Sequence, residues 1–206
     1  MSSLFITGTD TGVGKTVVSA ILTLNMNLVY WKPIQCGLDE ETDTEFIKRV
    51  TKLAEHNIIQ ELFRLKLPRS PHEAAEAEGL EIHSRNFSLP EIQSKKLLIE
   101  GAGGLFVPIN YEFMMIDLIK QLNSKVILVC RTQLGTLNHT LMSLEALKSR
   151  DIPVLGLILN GPKDSENEKS LAKLSYAPIL GHIDIMEEIN TETLKKAFKN
   201  IKSIIF

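Results

Sequence analysis

Gly8-Thr9-Asp10-Thr11-Gly12-Val13-Gly14-Lys15-Thr16 lies between an apolar run at residues 4–7 and a stretch of helical spacing at 16–25. Strand, glycine-rich turn and helix, in that order, form the setting of a phosphate-binding loop. The glycines permit backbone angles that turn N–H groups inward around phosphate oxygens. The start of the following helix adds free N–H groups and a favourable dipole. Lys15 offers a point charge to the terminal phosphates, and Thr16 offers a hydroxyl to Mg²⁺. The first glycine of the usual spacing is displaced here: Thr9 takes its place, with four residues between it and the Gly-Lys pair, and Gly8 precedes it. A plain glycine-rich turn is the competing reading, and the Gly-Lys-Thr end in its strand-to-helix context argues against it.

Working outward, further short apolar runs occur at 28–31, 96–100, 126–130, 154–159 and 179–181. Runs of this length fit strands buried on both faces of a parallel sheet. Between them, helical spacing covers 16–25, 43–56, 113–122, 137–149, 165–174 and 191–198. In 43–56, Phe46, Ile47, Val50 and Leu53 share one side. The alternation predicts an α/β fold: a mostly parallel sheet flanked by helices on both faces, of the P-loop NTPase type. Residues 1–206 read as a single domain. Residues 57–94 are the least regular part, with a short helix expected after Ser70 as N-cap and Pro71 at its first position.

Composition narrows the partners. The 206 residues are 44% hydrophobic and 23% charged, with a formal net charge of −2. That length suffices for a core without disulfides, and no basic footprint for nucleic acid is present. Cys36 and Cys130 have no paired spacing and read as reduced thiols. No run approaches the ~18 apolar residues of a membrane helix, and the N-terminus lacks the pattern of a secretory signal. A cytoplasmic protein without a membrane partner is expected.

Ligands of such sheets bind at the carboxyl ends of the strands, so residues just after the strands are the candidates. Lys32-Pro33 follows the run at 28–31, where a lysine faces the same edge as the loop; a solvated surface lysine is the plainer reading. Glu100-Gly101-Ala102-Gly103-Gly104 follows the apolar run at 97–99, placing a carboxylate on the metal side of a nucleotide. The small residues after it leave room for close backbone approach. Asp43 reads most simply as an acidic residue favoured at a helix N-terminus, and more sharply as a second magnesium contact. Gly135-Thr136-Leu137-Asn138-His139 opens a helix whose free N–H groups suit a carboxylate. The isolated His139 defaults to a surface histidine. His72-Glu73-Ala74-Ala75-Glu76 lacks the second histidine of a zinc motif.

Taken together, these segments resemble the dethiobiotin synthetases. The likeness rests on Gly8 to Thr16, Lys32-Pro33, Ser70-Pro71-His72, Glu100 to Gly104, Leu134-Gly135 with Asn138-His139, and Asn160, across about residues 4–183. The resemblance implies ATP-dependent joining of CO₂ to 7,8-diaminononanoate (diaminopelargonate). One amine forms a carbamate, ATP phosphorylates it to a mixed anhydride, and the second amine closes a cyclic urea. By the same resemblance Gly12, Val13, Gly14, Lys15, Thr16 and Val17 wrap the phosphates, and Lys15 bridges the transferring phosphoryl and the carbamate. Thr11 and Lys32 hold the carbamate, and Thr16, Asp43 and Glu100 hold Mg²⁺. Glu100, Gly101, Ala102 and Gly103 approach nucleotide and diamine. Asn160 and Gly161, with Ile183 and Asp184, lie at the adenine. Cys36 falls at a substrate-contacting position. The family's homodimer brings the partner's Gly135, Thr136, Leu137 and Asn138 to the distant carboxylate of the substrate.

The chain departs from the family pattern in three places. Gly12 stands where an acidic residue is frequent, Cys36 where serine is common, and Gly181-His182-Ile183-Asp184 where Gly-x-Ile-Pro is common. The main alternative is a P-loop ATPase switch of the partitioning or maturation type. Many of those carry a second lysine before the loop glycines, where this chain has Thr9-Asp10-Thr11, and no basic amphipathic tail offers an anchor. An amidotransferase-type synthetase would need room for a glutaminase domain. A bare nucleotide-binding module leaves Lys32 and the Glu100 segment without a role.

Overall fold

The apolar runs become the strands of one parallel sheet. The computed structural model describes residues 2–92 and 96–206. In chain order the elements are β1 (Ser3–Gly8), α1 (Lys15–Met26), β2 (Val29–Trp31), β3 (Ile34–Cys36), α2 (Asp43–Thr51), β4 (Ile58–Ile59), β5 (Phe63–Leu65), α3 (Pro71–Ala77) and β6 (Leu97–Gly104). There follow β7 (Pro108–Asn110), β8 (Phe113–Met114), α4 (Met115–Gln121), β9 (Lys125–Arg131), α5 (Thr136–Lys148), β10 (Val154–Asn160), α6 (Ser165–Leu174), β11 (Ile179–Ile183) and α7 (Thr191–Phe198).

Seven strands pair in the order β11-β10-β9-β1-β6-β2-β4, every pair parallel. Successive strand residues point to opposite faces, and the core divides accordingly. Leu4, Ile6, Tyr30, Leu98, Ile127 and Val129 pack with residues of α1, α2 and α7. Phe5, Val29, Trp31, Leu97, Ile99, Val126 and Leu128 pack with residues of α3, α4, α5 and α6. The strands are mostly apolar because both faces are covered. β1 is central: the chain leaves it toward β2 and β6 on one side, then crosses to β9 on the other. That reversal is the topological switch point, where such sheets open a crevice for ligands.

Several sequence expectations need correction. The helix expected over 43–56 stops at Thr51, where Lys52 turns left-handed with φ 54° and donates its N–H to Lys48 O. Leu53 is therefore outside it. The helix expected from 113 begins at Met115, because Phe113–Met114 pairs antiparallel with Pro108–Asn110. Ser70 does stand at the N-cap of α3, but its hydroxyl makes no capping bond. The strand holding Glu100 does not end before it; β6 continues through Gly104. The irregular stretch from 57 holds β4, β5 and α3, and β3 pairs with β5 as a small parallel sheet. Its last two residues, 93 and 94, lie outside the described residues.

Candidate active site

Three strand ends and one helix start meet in a cleft of about 660 Å³. The loop after β1 forms its floor. Thr9 donates its N–H to Val129 O at 3.0 Å, tying the loop to β9. Gly14 caps α1 in a left-handed conformation with φ 95°, which L side chains rarely adopt. A Cβ at Gly14 would also collide with the Asn160 amide. The first turn of α1 carries no acidic residue, so its N–H groups keep their attraction for an anion.

Lys15 bends back over the loop and donates to Asp10 O at 3.0 Å. Burial pulls its pKa down to about 8, opposed by the negative charge of Glu100. Lys32, directly after β2, is buried between two carboxylates, 2.8 Å from Asp43 Oδ2 and 3.4 Å from Glu100 Oε1. Burial alone would lower the Lys32 pKa, but Glu100 and Asp43 outweigh it and hold the ammonium above its ordinary value. Burial likewise works against the charge of Asp43, yet the Lys32 cation and hydrogen bonds from Lys32 and Thr16 keep its carboxyl below the usual range.

The carboxylates reach this point for local reasons. Thr42 caps α2 and exchanges hydrogen bonds with Glu45, a capping box that sets Asp43 at the first helical position. Gln35 Oε1 accepts the Asp43 N–H at 3.3 Å. Glu100 pairs in register with Ile6 of β1. The Thr16 hydroxyl donates to Asp43 Oδ1 and lies 2.8 Å from Glu100 Oε1. Thr16, Asp43 and Glu100 thus present hard oxygen donors at one point, the ligand type Mg²⁺ takes together with phosphate oxygens and water.

The expected site residues divide into groups. Thr11, Gly12, Gly14, Lys15, Thr16, Val17, Lys32, Cys36, Asp43, Glu100, Ala102 and Gly103 all line the cleft. Val13 turns its side chain into the core. A Cβ at Gly101 would strike Phe5, so the glycine there serves packing. A Cβ at Gly103 would press on Val107 and reach Thr11 Oγ1 at 3.4 Å, so its absence lets β6 approach the loop. Asn160 does not line the cleft; its amide donates to Val13 O at 3.1 Å and supports the phosphate loop from outside.

Gly161 and Ile183 meet through a 3.0 Å backbone bond at the ends of β10 and β11. The Ile183 side chain is in the core, and Asp184 is exposed. His182 ties this edge together, with Nδ1 2.5 Å from Glu168 Oε1 and Nε2 2.8 Å from Gly161 O. Gly135, Thr136, Leu137 and Asn138 lie away from the cleft. Thr136 is buried and donates to Arg131 O, while Asn138 is exposed.

Sequence reasoning missed four residues. Tyr30 donates its hydroxyl to Glu100 Oε2 at 3.0 Å. Arg131 reaches Asp10 Oδ2 at 3.0 Å across the mouth of the loop. Gln35 and Arg69 line the cleft. Tyr30 sits in an apolar strand and looks like core; the other three had no motif to mark them.

A family model described as an AAA domain matches residues 2–193. In fold, the chain resembles a septum site-determining protein complexed with Mg-ADP from Pyrococcus horikoshii, at 17% identity and TM-score 0.55 over 95% of this chain and 86% of the other. It likewise resembles a plasmid partition protein from Borrelia burgdorferi bound to AMPPNP, at 12% identity and TM-score 0.57 over 97% and 95%. These likenesses show the P-loop fold alone. The sequence is closer to ATP-dependent dethiobiotin synthetases: 44% identical to that of Brucella melitensis, over 96% of this chain and 92% of the relative. It is 42% identical to that of Rhodopseudomonas palustris, over 95% and 92%. Identity of that extent, over nearly all of both chains, means that this chain belongs to the family of the ATP-dependent dethiobiotin synthetases.

Proposed function

We propose that the chain catalyses the ATP- and Mg²⁺-dependent closure of 7,8-diaminononanoate with CO₂ to dethiobiotin, releasing ADP and phosphate. One observation carries the reading: Lys15, Lys32, Asp43 and Glu100 meet in one cleft at the switch point of the sheet. The second lysine of this cleft stands after β2 and not before the loop glycines, where many nucleotide switches carry theirs.

Each step of such a reaction creates or moves negative charge between substrate and γ-phosphate. Clustered cations and N–H donors serve it, and no protein nucleophile is required. Lys32, cationic because two carboxylates hold its proton, attracts the carbamate and orients it beside Thr11. Lys15 stays mostly protonated at neutral pH even with its pKa pulled to about 8, and bridges the carbamate and the transferring phosphoryl. Gly12, Val13, Gly14, Thr16 and Val17 offer N–H groups to the phosphates. Thr16, Asp43 and Glu100 would hold Mg²⁺, which when bound neutralises phosphate charge. Ala102 and Gly103 give backbone contact, and Cys36 lines the substrate side. Asn160, Gly161, Ile183 and Asp184 take the base edge.

The substrate's remote carboxylate is met by residues 135–138 of a second copy, in a cytoplasmic homodimer with shared sites. Two features support this: those residues lie away from the cleft of their own chain, and Leu134 and Met142 beside them expose apolar surface.

Purified protein with ATP, Mg²⁺, bicarbonate and 7,8-diaminononanoate should yield dethiobiotin by mass spectrometry only when all four are present. ATP hydrolysis that ignores the diamine, with no product, would favour a switch instead.

A further inference from the structure

Tyr30 is fully buried among Leu4, Ile6, Leu98 and Ile127. Phenylalanine would suit that apolar cluster, whereas a buried hydroxyl is costly without a partner. The partner is Glu100, 3.0 Å away through Oε2. Register explains the meeting: Tyr30 pairs with Leu98 of β6, and side chains two apart share a face, so Glu100 is its diagonal neighbour. The two oxygens of Glu100 then have separate tasks. Oε1 faces the Thr16 hydroxyl and the Lys32 ammonium. Among the described residues the Tyr30 hydroxyl is the only donor to Oε2. The terminal torsion of a glutamate is broad, so without that bond the carboxylate plane is free to rotate.

We propose that Tyr30 is a positioning residue of the metal site: its hydroxyl holds Glu100 Oε2 so that Oε1 is the oxygen presented beside Thr16. The proposal rests on the reading of Glu100 as a Mg²⁺ ligand. Outer partners of this kind orient the ligand that touches the metal, and losing one commonly weakens metal binding or activity by roughly 10–100-fold. A tyrosine serving only the core would leave metal dependence untouched.

The test titrates Mg²⁺ against binding of a fluorescent ATP analogue, for wild type and Tyr30→Phe. Tyr30→Phe should bind the analogue in EDTA within about twofold of wild type, and need about tenfold more Mg²⁺ for half-maximal enhancement. In a Glu100→Gln background the same substitution should add nothing. 4-Aminophenylalanine at position 30, equal in shape and still a donor, should restore the wild-type half-point even if phenylalanine weakens the fold. A Tyr30→Phe half-point matching wild type overturns the proposal, as does a full effect persisting in Glu100→Gln. A wild-type protein whose nucleotide binding ignores Mg²⁺ overturns the ligand reading of Glu100, and the proposal with it.

Discussion

Replacing Lys32 with methionine removes a charge while keeping most of the side-chain length. Asp43 and Glu100 then face each other without their shared cation. The Lys32 and Glu100 side chains are 6% and 0% exposed, and that of Asp43 is 26% exposed. Removing one partner of a buried ion pair costs about 3–5 kcal/mol. Asp43 is partly solvated, and Glu100 keeps its bonds to Tyr30 and Thr16, so the low end applies, about 3 kcal/mol. For a chain of this size that lowers the melting temperature by roughly 6–12 °C. Because the two carboxylates then keep only the charge of Lys15 nearby, Mg²⁺ should stabilise Lys32→Met more than wild type. The folded pKa of Lys32 is raised above 10.5. Its contribution is therefore complete at pH 8 and is lost only as pH climbs through the folded value. The assay is thermal unfolding of both proteins at pH 8, in EDTA and in millimolar Mg²⁺, beside a product assay in which Lys32→Met is inactive. A shift under about 2 °C in EDTA, or a deficit that Mg²⁺ leaves unchanged, refutes the reasoning, since the predicted shift is several times larger.

Lys15→Ala should lower product formation by about 10²–10³-fold, the scale for losing one charge-stabilising group; near-normal turnover would remove the phosphate-loop assignment. Burial pushes the Cys36 thiol up to about 11, so at pH 8 its thiolate fraction is about 10⁻³. Iodoacetamide, followed by peptide mass spectrometry, should therefore label it a few hundredfold more slowly than a free thiol. Labelling at the free-thiol rate would mean the burial is wrong. Gly14→Ala must displace Asn160 and strain the left-handed turn, costing roughly 1–2 kcal/mol for the backbone. Asn160→Ala should relieve part of that loss in a double-mutant unfolding cycle, and strict additivity would contradict the collision. Met142→Glu, tested by sedimentation, should yield folded monomers of low activity if α5 lies between two copies. An active monomer that stays monomeric at every concentration would sink the shared site.

The alternation of apolar runs and helical stretches was enough to read the parallel α/β sheet, because strands covered on both faces are mostly apolar. Gly8 to Thr16 was legible because a phosphate loop is a local device: strand, turn and helix lie within one short segment. Lys32 and Glu100 were legible as positions after apolar runs, but not as partners. Their meeting depends on β2 lying beside β6 and β6 beside β1, an order that no local spacing records. Asp43 read most simply as a helix-start acid until tertiary structure placed it against Lys32 and Thr16. Tyr30 shows the same limit from the opposite side. By hydropathy it belongs to the core, and only the register of β2 on β6 makes its hydroxyl a partner of Glu100. What the sequence determined by itself is the set of segments whose signals close within a few residues. Which side chains share a charge, a proton or a metal was decided by strand order and register, because the contacts of Glu100 span 68 to 84 residues of chain and exist only once the sheet has assembled.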